Sequence, residues 1–205
     1  MQNESKVPKK SFRLEGRVVF FATNNIHKFN EARIVFSRYG VAVGMLRAKA
    51  LEIQNDNVGE IAKSSAIDAF ERCHLPVIVE DAGLFVDALK GFPGPYSAYV
   101  YKTLGNGGLL KLMDKVMNRR AKFQSVIAYC DNLNIDPMCF AGESLGNIST
   151  EEHKDNKISN FGFDPIFLPK GNTRTFAEMN LEEKNGLSHR AEALAKFSDW
   201  CKTQQ

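Results

Sequence analysis

Two hydrophobic periods alternate along the chain. The run Arg17 to Thr23 is short, continuously apolar and rich in β-branched and aromatic residues, which predicts a buried strand. Asn24-Asn25 interrupts it. From Ile26 to Tyr39 the apolar positions Phe29, Ala32, Phe36 and Tyr39 recur at helical spacing, and Gly40 follows as a helix stop. Val41 to Leu46 reads as a second strand. Val58 to Cys73 reads as a second helix, with Ile61, Ala66, Ala69 and Cys73 on one face. Pro76 to Glu80 is another buried strand, ending on Glu80 and Asp81, and a turn is expected at Asp81-Ala82-Gly83.

The second half begins with Gly91-Phe92-Pro93-Gly94-Pro95, which must be loop or turn. Gly107 to Met117 carries Leu109, Leu110, Leu112, Met113, Val116 and Met117 and predicts a helix. Ala121 to Cys130 is a long strand with Phe123, Ser125, Ile127 and Tyr129 on one face, and Pro137 to Leu145 is its hairpin partner. Asn160 to Pro169 is a glycine-containing loop leading into a short strand, Ile166 to Leu168. Ser188 to Lys202 is a final helix that Ser188 can cap. Helices alternating with strands, followed by a strand pair, give an α/β class: a mixed β-sheet with flanking helices. At 205 residues the expected organisation is an N-terminal tail, 1–15, and a single domain, 16–205, with two lobes.

Composition narrows the classes. A net charge of +3 is too weak to point to nucleic acid. No apolar run approaches the roughly 18 residues of a membrane span. Cys73, Cys130, Cys139 and Cys201 are not spaced as metal ligands and read as reduced thiols of a cytoplasmic protein.

Four segments carry candidate chemistry. Thr23-Asn24-Asn25-Ile26-His27-Lys28 sits where a strand hands over to a helix. Main-chain N–H groups there attract phosphate, and Lys28 adds a cation one turn in, although the glycines of a Walker loop are missing. Alone, this run is equally a polar turn with a capping asparagine. Glu80-Asp81 stands at a strand's carboxyl end, where ligands gather in open α/β sheets, and adjacent carboxylates favour a divalent cation. Glu52, between the second strand and second helix, could complete such a site. In Phe161-Gly162-Phe163-Asp164 the rings could stack on a base and Asp164 could accept from a base N–H. Lys184, His189 and Arg190 surround the start of the last helix. Cations are unfavourable at that end of the dipole, which suggests an anionic or carbonyl-rich partner outside the helix.

Together, the stretches FATNNIHKFNEA, VIVEDAGLFVDALKGFPGPYSAYV, FGFDPIFLP, TFAEM and EEKNGLSHRAEAL resemble the inosine/xanthosine triphosphate pyrophosphatases, the Ham1-like family. They run in order from about Val18 to Trp200, and SAYVYKTLGN looks most like archaeal members. The resemblance implies an elongated mixed sheet, two lobes around a central cleft and a homodimer. It implies cleavage of ITP, dITP or XTP to the monophosphate and pyrophosphate, with magnesium as cofactor and manganese as its substitute, and with no nucleic-acid or membrane partner. Carried onto this chain, Thr23, Asn24, Asn25, Ile26, His27 and Lys28 would hold the triphosphate. Glu52 and Asp81 would hold the metal, with Glu80 in support and Asp81 also the general base. Phe161 would stack on the base, Gly162, Phe163 and Asp164 would line its pocket, and Lys184, His189 and Arg190 would read the purine edge. The chain departs from the pattern at Ala82, where the family usually has a hydroxyl residue, at Ser65, where many relatives have lysine, and at Tyr99, where many bacterial members have arginine. A phosphohydrolase releasing γ-phosphate and a non-catalytic nucleotide-binding protein are the competing readings.

Overall fold

A computed structural model of the protein describes residues 18–47, 51, 53–153 and 161–203. The expected tail and Glu52 lie outside the described residues. The elements follow in the order β1 (Val18–Ala22), α1 (Ile26–Arg38), β2 (Ala42–Leu46), α2 (Val58–Cys73), β3 (Val77–Val86), β4 (Pro93–Gly94), α3 (Ser97–Thr103) and α4 (Gly105–Leu112). Then come β5 (Arg120–Cys130), β6 (Met138–Ile148), β7 (Phe167–Pro169), α5 (Leu181–Asn185) and α6 (His189–Thr203).

The strands form one sheet in the order β2-β1-β3-β5-β6-β7, with β4 also paired to β3. β1 lies parallel to both β2 and β3, and the remaining pairs are antiparallel. Side chains alternate between faces along each strand. On one face α1 and α6 cover Val19, Phe21, Ile78 and Ile127 with Phe36, Leu194 and Phe197. On the other face α2 covers Val77, Val79, Val126 and Ala128 with Ala62, Ala66 and Ala69. A third cluster joins Leu84, Val86 and Phe123 to Val100 and Leu109 of α3 and α4, and to Phe163, Phe167 and Phe176. All four cysteines are free thiols. Among the described residues no helix is long and apolar enough to cross a membrane.

The sequence pattern and the structure part in four places. Within the segment expected to be loop or turn, Pro93–Gly94 pairs with β3 as the short strand β4. β3 does not stop at Glu80. It runs on to Val86, in register with β5 throughout, so the turn expected at Asp81-Ala82-Gly83 is replaced by strand. Gly83 makes this possible on the other edge: a Cβ there would lie 2.4 Å from Gly94 O, so only glycine lets β4 close onto β3. Ser97–Thr103 is helical although its apolar spacing does not announce it. Finally, α4 ends at Leu112. The apolar period continues through Met113 and Val116, which still pack on the third cluster, but Lys115 adopts φ +58°, outside helical geometry.

One constraint aims α6. Ala82, Ser125 and Gly142 lie side by side on neighbouring strands, a row of small residues across the sheet. The start of α6 sinks into it: a Cβ on Gly142 would stand 2.1 Å from His189 O and 2.6 Å from Ala193 N. Gly142→Ala is therefore expected to lift α6 and cost about 1–3 kcal/mol of stability. Urea denaturation of the two proteins checks this, with the midpoint falling for the variant.

Candidate functional site

The cleft opens where the sheet lacks a strand. β1 pairs with β3 only at Phe20↔Val77 and Phe21↔Ile78, and β4 takes up the same edge at Leu84↔Gly94. Between them the edge of β3 is bare. The N–H groups of Leu84 and Val86 point to this edge, donating to Ser97 Oγ at 2.8 Å and Phe92 O at 3.3 Å. Alternate residues of an antiparallel ladder direct their main-chain groups alike, so Glu80 and Ala82 present theirs to the opening. Lys28 Nζ donates to Glu80 O at 3.2 Å. The cavity there measures about 1040 Å³, at the upper end of the roughly 300–1,000 Å³ typical of small-molecule sites.

At one end stands the β1–α1 turn. Asn25 Oδ1 accepts from the N–H groups of His27 and Lys28 at 3.0 and 3.2 Å, and Thr23 Oγ1 accepts from Asn25 N at 3.1 Å. The run is thus both a capped helix start and a wall of the cleft, which Thr23, Asn24, Asn25, Ile26, His27 and Lys28 all line. At the other end are Phe161, Gly162, Phe163, Asp164, His189 and Arg190. Gly162 has φ +56°, a left-handed conformation that carries the chain from the Phe161 ring to the buried Phe163.

A buried chain of alternating charges joins the ends. Lys28 Nζ meets Glu80 Oε2 at 2.7 Å, and Glu80 Oε1 accepts from Arg190 Nε at 3.0 Å and from Ser125 Oγ at 2.7 Å. Arg190 Nη1 then donates to Glu31 Oε2, Glu31 Oε1 takes Lys184 Nζ at 2.6 Å, and Lys184 Nζ reaches Asp164 Oδ2 at 2.5 Å. Three cations and three carboxylates balance. Burial would raise the pKa of Glu31, but Arg190 and Lys184 outweigh it and hold that carboxyl at about 2. Glu80 is likewise held well below the carboxylate range, because Arg190 and Lys28 outweigh its burial.

His189 behaves differently from the cation that its place in the sequence suggests. It is buried and stacked on Phe123, with centroids 4.6 Å apart and planes at 10°. Burial first, then the neighbouring Arg190 charge, push its pKa well below the ordinary value, so the ring is neutral. Asp81 follows Glu80 on an unbroken strand and therefore faces the α2 side, the face of Val77 and Val79. The two carboxylates are separated by the sheet instead of sharing one side of a turn. Ser65 of α2 also lines the cleft, whereas Lys63 turns outward to Glu60 at 3.2 Å.

The Ham1 family model matches residues 19–200. The chain belongs to the Ham1 family. It is 47% identical over 184 residues to a dITP/XTP pyrophosphatase of Methanopyrus kandleri, covering 90% of this chain and 96% of the relative. Identity is 50% over 183 residues to the dITP/XTP pyrophosphatase of Thermococcus kodakarensis, covering 89% and 96%. Among solved structures, a HAM1 protein from Coxiella burnetii superposes with a TM-score of 0.79 at 27% identity, covering 91% of this chain and 99% of that one. The Staphylococcus aureus Ham1 protein gives 0.76 at 27%, covering 92% and 100%.

In this Ham1 chain the structure gathers most of the sequence-derived site residues around one cavity, Ala82 among them. Besides Asp81 and His189, Lys184 is placed otherwise than expected. Lys184 lies behind the wall, fully committed to Glu31 and Asp164, so it meets the cavity through Asp164. Glu80 is engaged by Lys28, Arg190 and Ser125, so its carboxylate is shared between two cations and a hydroxyl. Glu31 and Ser125 are additions. Glu31 sits inside an otherwise amphipathic helix and reads as a surface residue. Its signal is position: it shares the buried stripe of α1 with Ala32 and Val35, three residues beyond Lys28.

Glu31→Gln leaves Arg190 and Lys184 short of a buried counter-charge, and a loss of about 3–5 kcal/mol is expected. The depressed Glu31 pKa sets the pH dependence. Its contribution is fully present above the usual value of 4.5 and fades as pH falls toward about 2, so the stability gap between the two proteins narrows over that window. Denaturant unfolding of both proteins at pH 7, 4.5 and 3 measures it.

Proposed function

We infer that this protein hydrolyses deaminated purine nucleoside triphosphates, ITP, dITP and XTP, to the monophosphate and pyrophosphate. One observation carries the reading. A single cleft has a helix start with a fixed lysine at one end and a ring, a carboxylate and a buried guanidinium at the other, joined rigidly through Glu80. The dITP/XTP pyrophosphatase relatives support it, because they align over nearly the whole chain.

The base end favours a 6-oxo purine. Arg190 Nε and Nη1 are occupied by Glu80 and Glu31, which leaves Nη2 as the guanidinium group available to a base. Hypoxanthine and xanthine offer an acceptor at position 6 and a donor at N1, and Asp164 supplies the acceptor for that donor. Adenine reverses both, and each buried mismatch costs about 1–3 kcal/mol. Phe161 supplies a stacking face, and Gly162 and Phe163 shape the wall beside it. Neutral His189 can offer a ring nitrogen to the purine edge without adding a charge.

At the phosphate end, Lys28 and the α1 start hold the polyphosphate, with Thr23, Asn24 and Asn25 beside them. The missing hydroxyl at Ala82 is offset by its own main-chain N–H, which the strand directs into the opening. Asp81 stands across the sheet from the cation chain, and there it serves as the base that takes the proton from the attacking water. As water adds to the α-phosphorus the bond to the bridging oxygen breaks, and pyrophosphate departs toward Lys28.

Magnesium fits this donor set. Asp81 lines the cleft on the face opposite the cation chain, and a carboxylate supplies the hard oxygen atoms that magnesium takes. In this reading Asp81 and Glu52, which lies outside the described residues, hold the ion, and manganese substitutes. When bound, it neutralises phosphate charge. A cytoplasmic homodimer is the working form in the same reading, on family membership alone.

A pyrophosphate-release panel over ITP, dITP, XTP, GTP and ATP with magnesium tests the assignment. The kcat/KM for dITP is expected to exceed that for ATP by about a hundredfold or more, from two mismatches. Orthophosphate in place of pyrophosphate would overturn it. Asp81→Asn should lower kcat by roughly 10²–10⁴-fold while circular dichroism and the melting temperature stay near those of the parent. Near-normal turnover would remove Asp81 from the role of base.

A further inference from the structure

His27 occupies the second helical position of α1. Its main-chain N–H goes to Asn25 Oδ1 at 3.0 Å, so neither the cap nor the helix requires an imidazole there. Its side chain is exposed, yet its ring lies on Phe161, with centroids 5.2 Å apart and planes inclined by 24°. That separation and tilt are those of an offset aromatic stack. The same Phe161 ring lies 5.7 Å from Lys184 Nζ and 5.8 Å from Arg190 Cζ, the two cations of the base end. Both His27 and Phe161 line the cleft. The helix that begins the phosphate end therefore reaches over to touch the base end, and the contact is ring on ring.

We propose that His27 and Phe161 form a two-ring clamp for the purine. The imidazole covers one face of the Phe161 ring. An entering purine takes its place between the rings, exchanging one ring–ring contact for two. The movement belongs to the His27 side chain, because its main chain is fixed by the cap. The clamp grips the flat faces of the base and leaves its edge to Asp164, His189 and Arg190. It therefore sets affinity for any purine and does not distinguish dITP from dATP. The inference rests on reading the cleft as a purine triphosphate site, and it gives a residue of the phosphate turn a role at the base.

His27→Ala and His27→Phe test it, read by KM and kcat for dITP and by calorimetric Kd for dIMP and for inorganic tripolyphosphate, which has no base. His27→Ala is expected to raise KM for dITP and Kd for dIMP by about five- to tenfold, with a smaller change in kcat. His27→Phe should recover most of that loss, the dITP-to-dATP preference should hold, and tripolyphosphate should bind all three proteins alike. If His27→Phe is as weak as His27→Ala, or if tripolyphosphate binding falls in step with dITP, the ring serves the phosphates and the clamp is wrong. Failure of the unaltered protein to release pyrophosphate from dITP would count against the functional reading instead. The dIMP titrations still decide the clamp in that case.

Discussion

Arg190 is a permanent cation buried under a helix, and everything around it answers the cost of keeping it there. Its guanidinium is shared between Glu80 on β3 and Glu31 on α1. Those carboxylates are each shared again, with Lys28 and with Lys184. The result ties α1, β3, α5, α6 and the Asp164 turn into one electrostatic unit. A buried ion pair is seldom a source of net stability, because desolvation offsets most of the attraction. Its value here is positional, since no member can move without stranding a neighbour's charge. The turn that begins α1 and the pocket around Asp164 and Arg190 are therefore held by one shared network.

The sheet makes room for that unit by leaving things out. Alanine, serine and glycine stand in one row across β3, β5 and β6, and α6 settles against the glycine, bringing His189 and Arg190 close to the strands. Ser125 in the same row adds a hydroxyl to Glu80. A larger residue at Gly142 would push the start of α6 away and draw the guanidinium from the carboxylate that neutralises it. Packing and charge are thus one constraint, seen from two sides.

Much of this was legible in the chain. The apolar periods located β1, α1, α2, β5, β6 and α6 to within a few residues, because each buries one face or stripe against a neighbour. A capping asparagine before α1 and Ser188 before α6 were visible as options, and the side chains of Asn25 and Ser188 do accept main-chain N–H groups. Gathering the separate motifs into one cavity required knowing how the strands order, which local pattern does not contain. Glu31 was hidden because a charged residue in an amphipathic helix ordinarily faces water, and its partners lie more than a hundred and fifty positions away. The route by which Asp81 reaches the cleft was misread for a related reason. Two adjacent carboxylates and a glycine look like a turn, and only full-length pairing with β5 shows that they continue a strand. His189 was read as a cation because sequence shows its neighbours but not the Phe123 ring that buries it.

The opening in the edge of β3 carries a hazard as well as a site. Unpaired main-chain groups on a strand edge invite a strand from another molecule, the usual route to edge-to-edge aggregation. Here the bare stretch is bounded by β1 on one side and β4 on the other, too short for a foreign strand to gain a lasting register. It also passes two carboxylates, Glu80 and Asp81, one on each face, and Lys28 already holds one of its carbonyls. A recessed and charged gap of this kind resists edge pairing for the same reasons that it suits a small, highly charged ligand, and not a polypeptide.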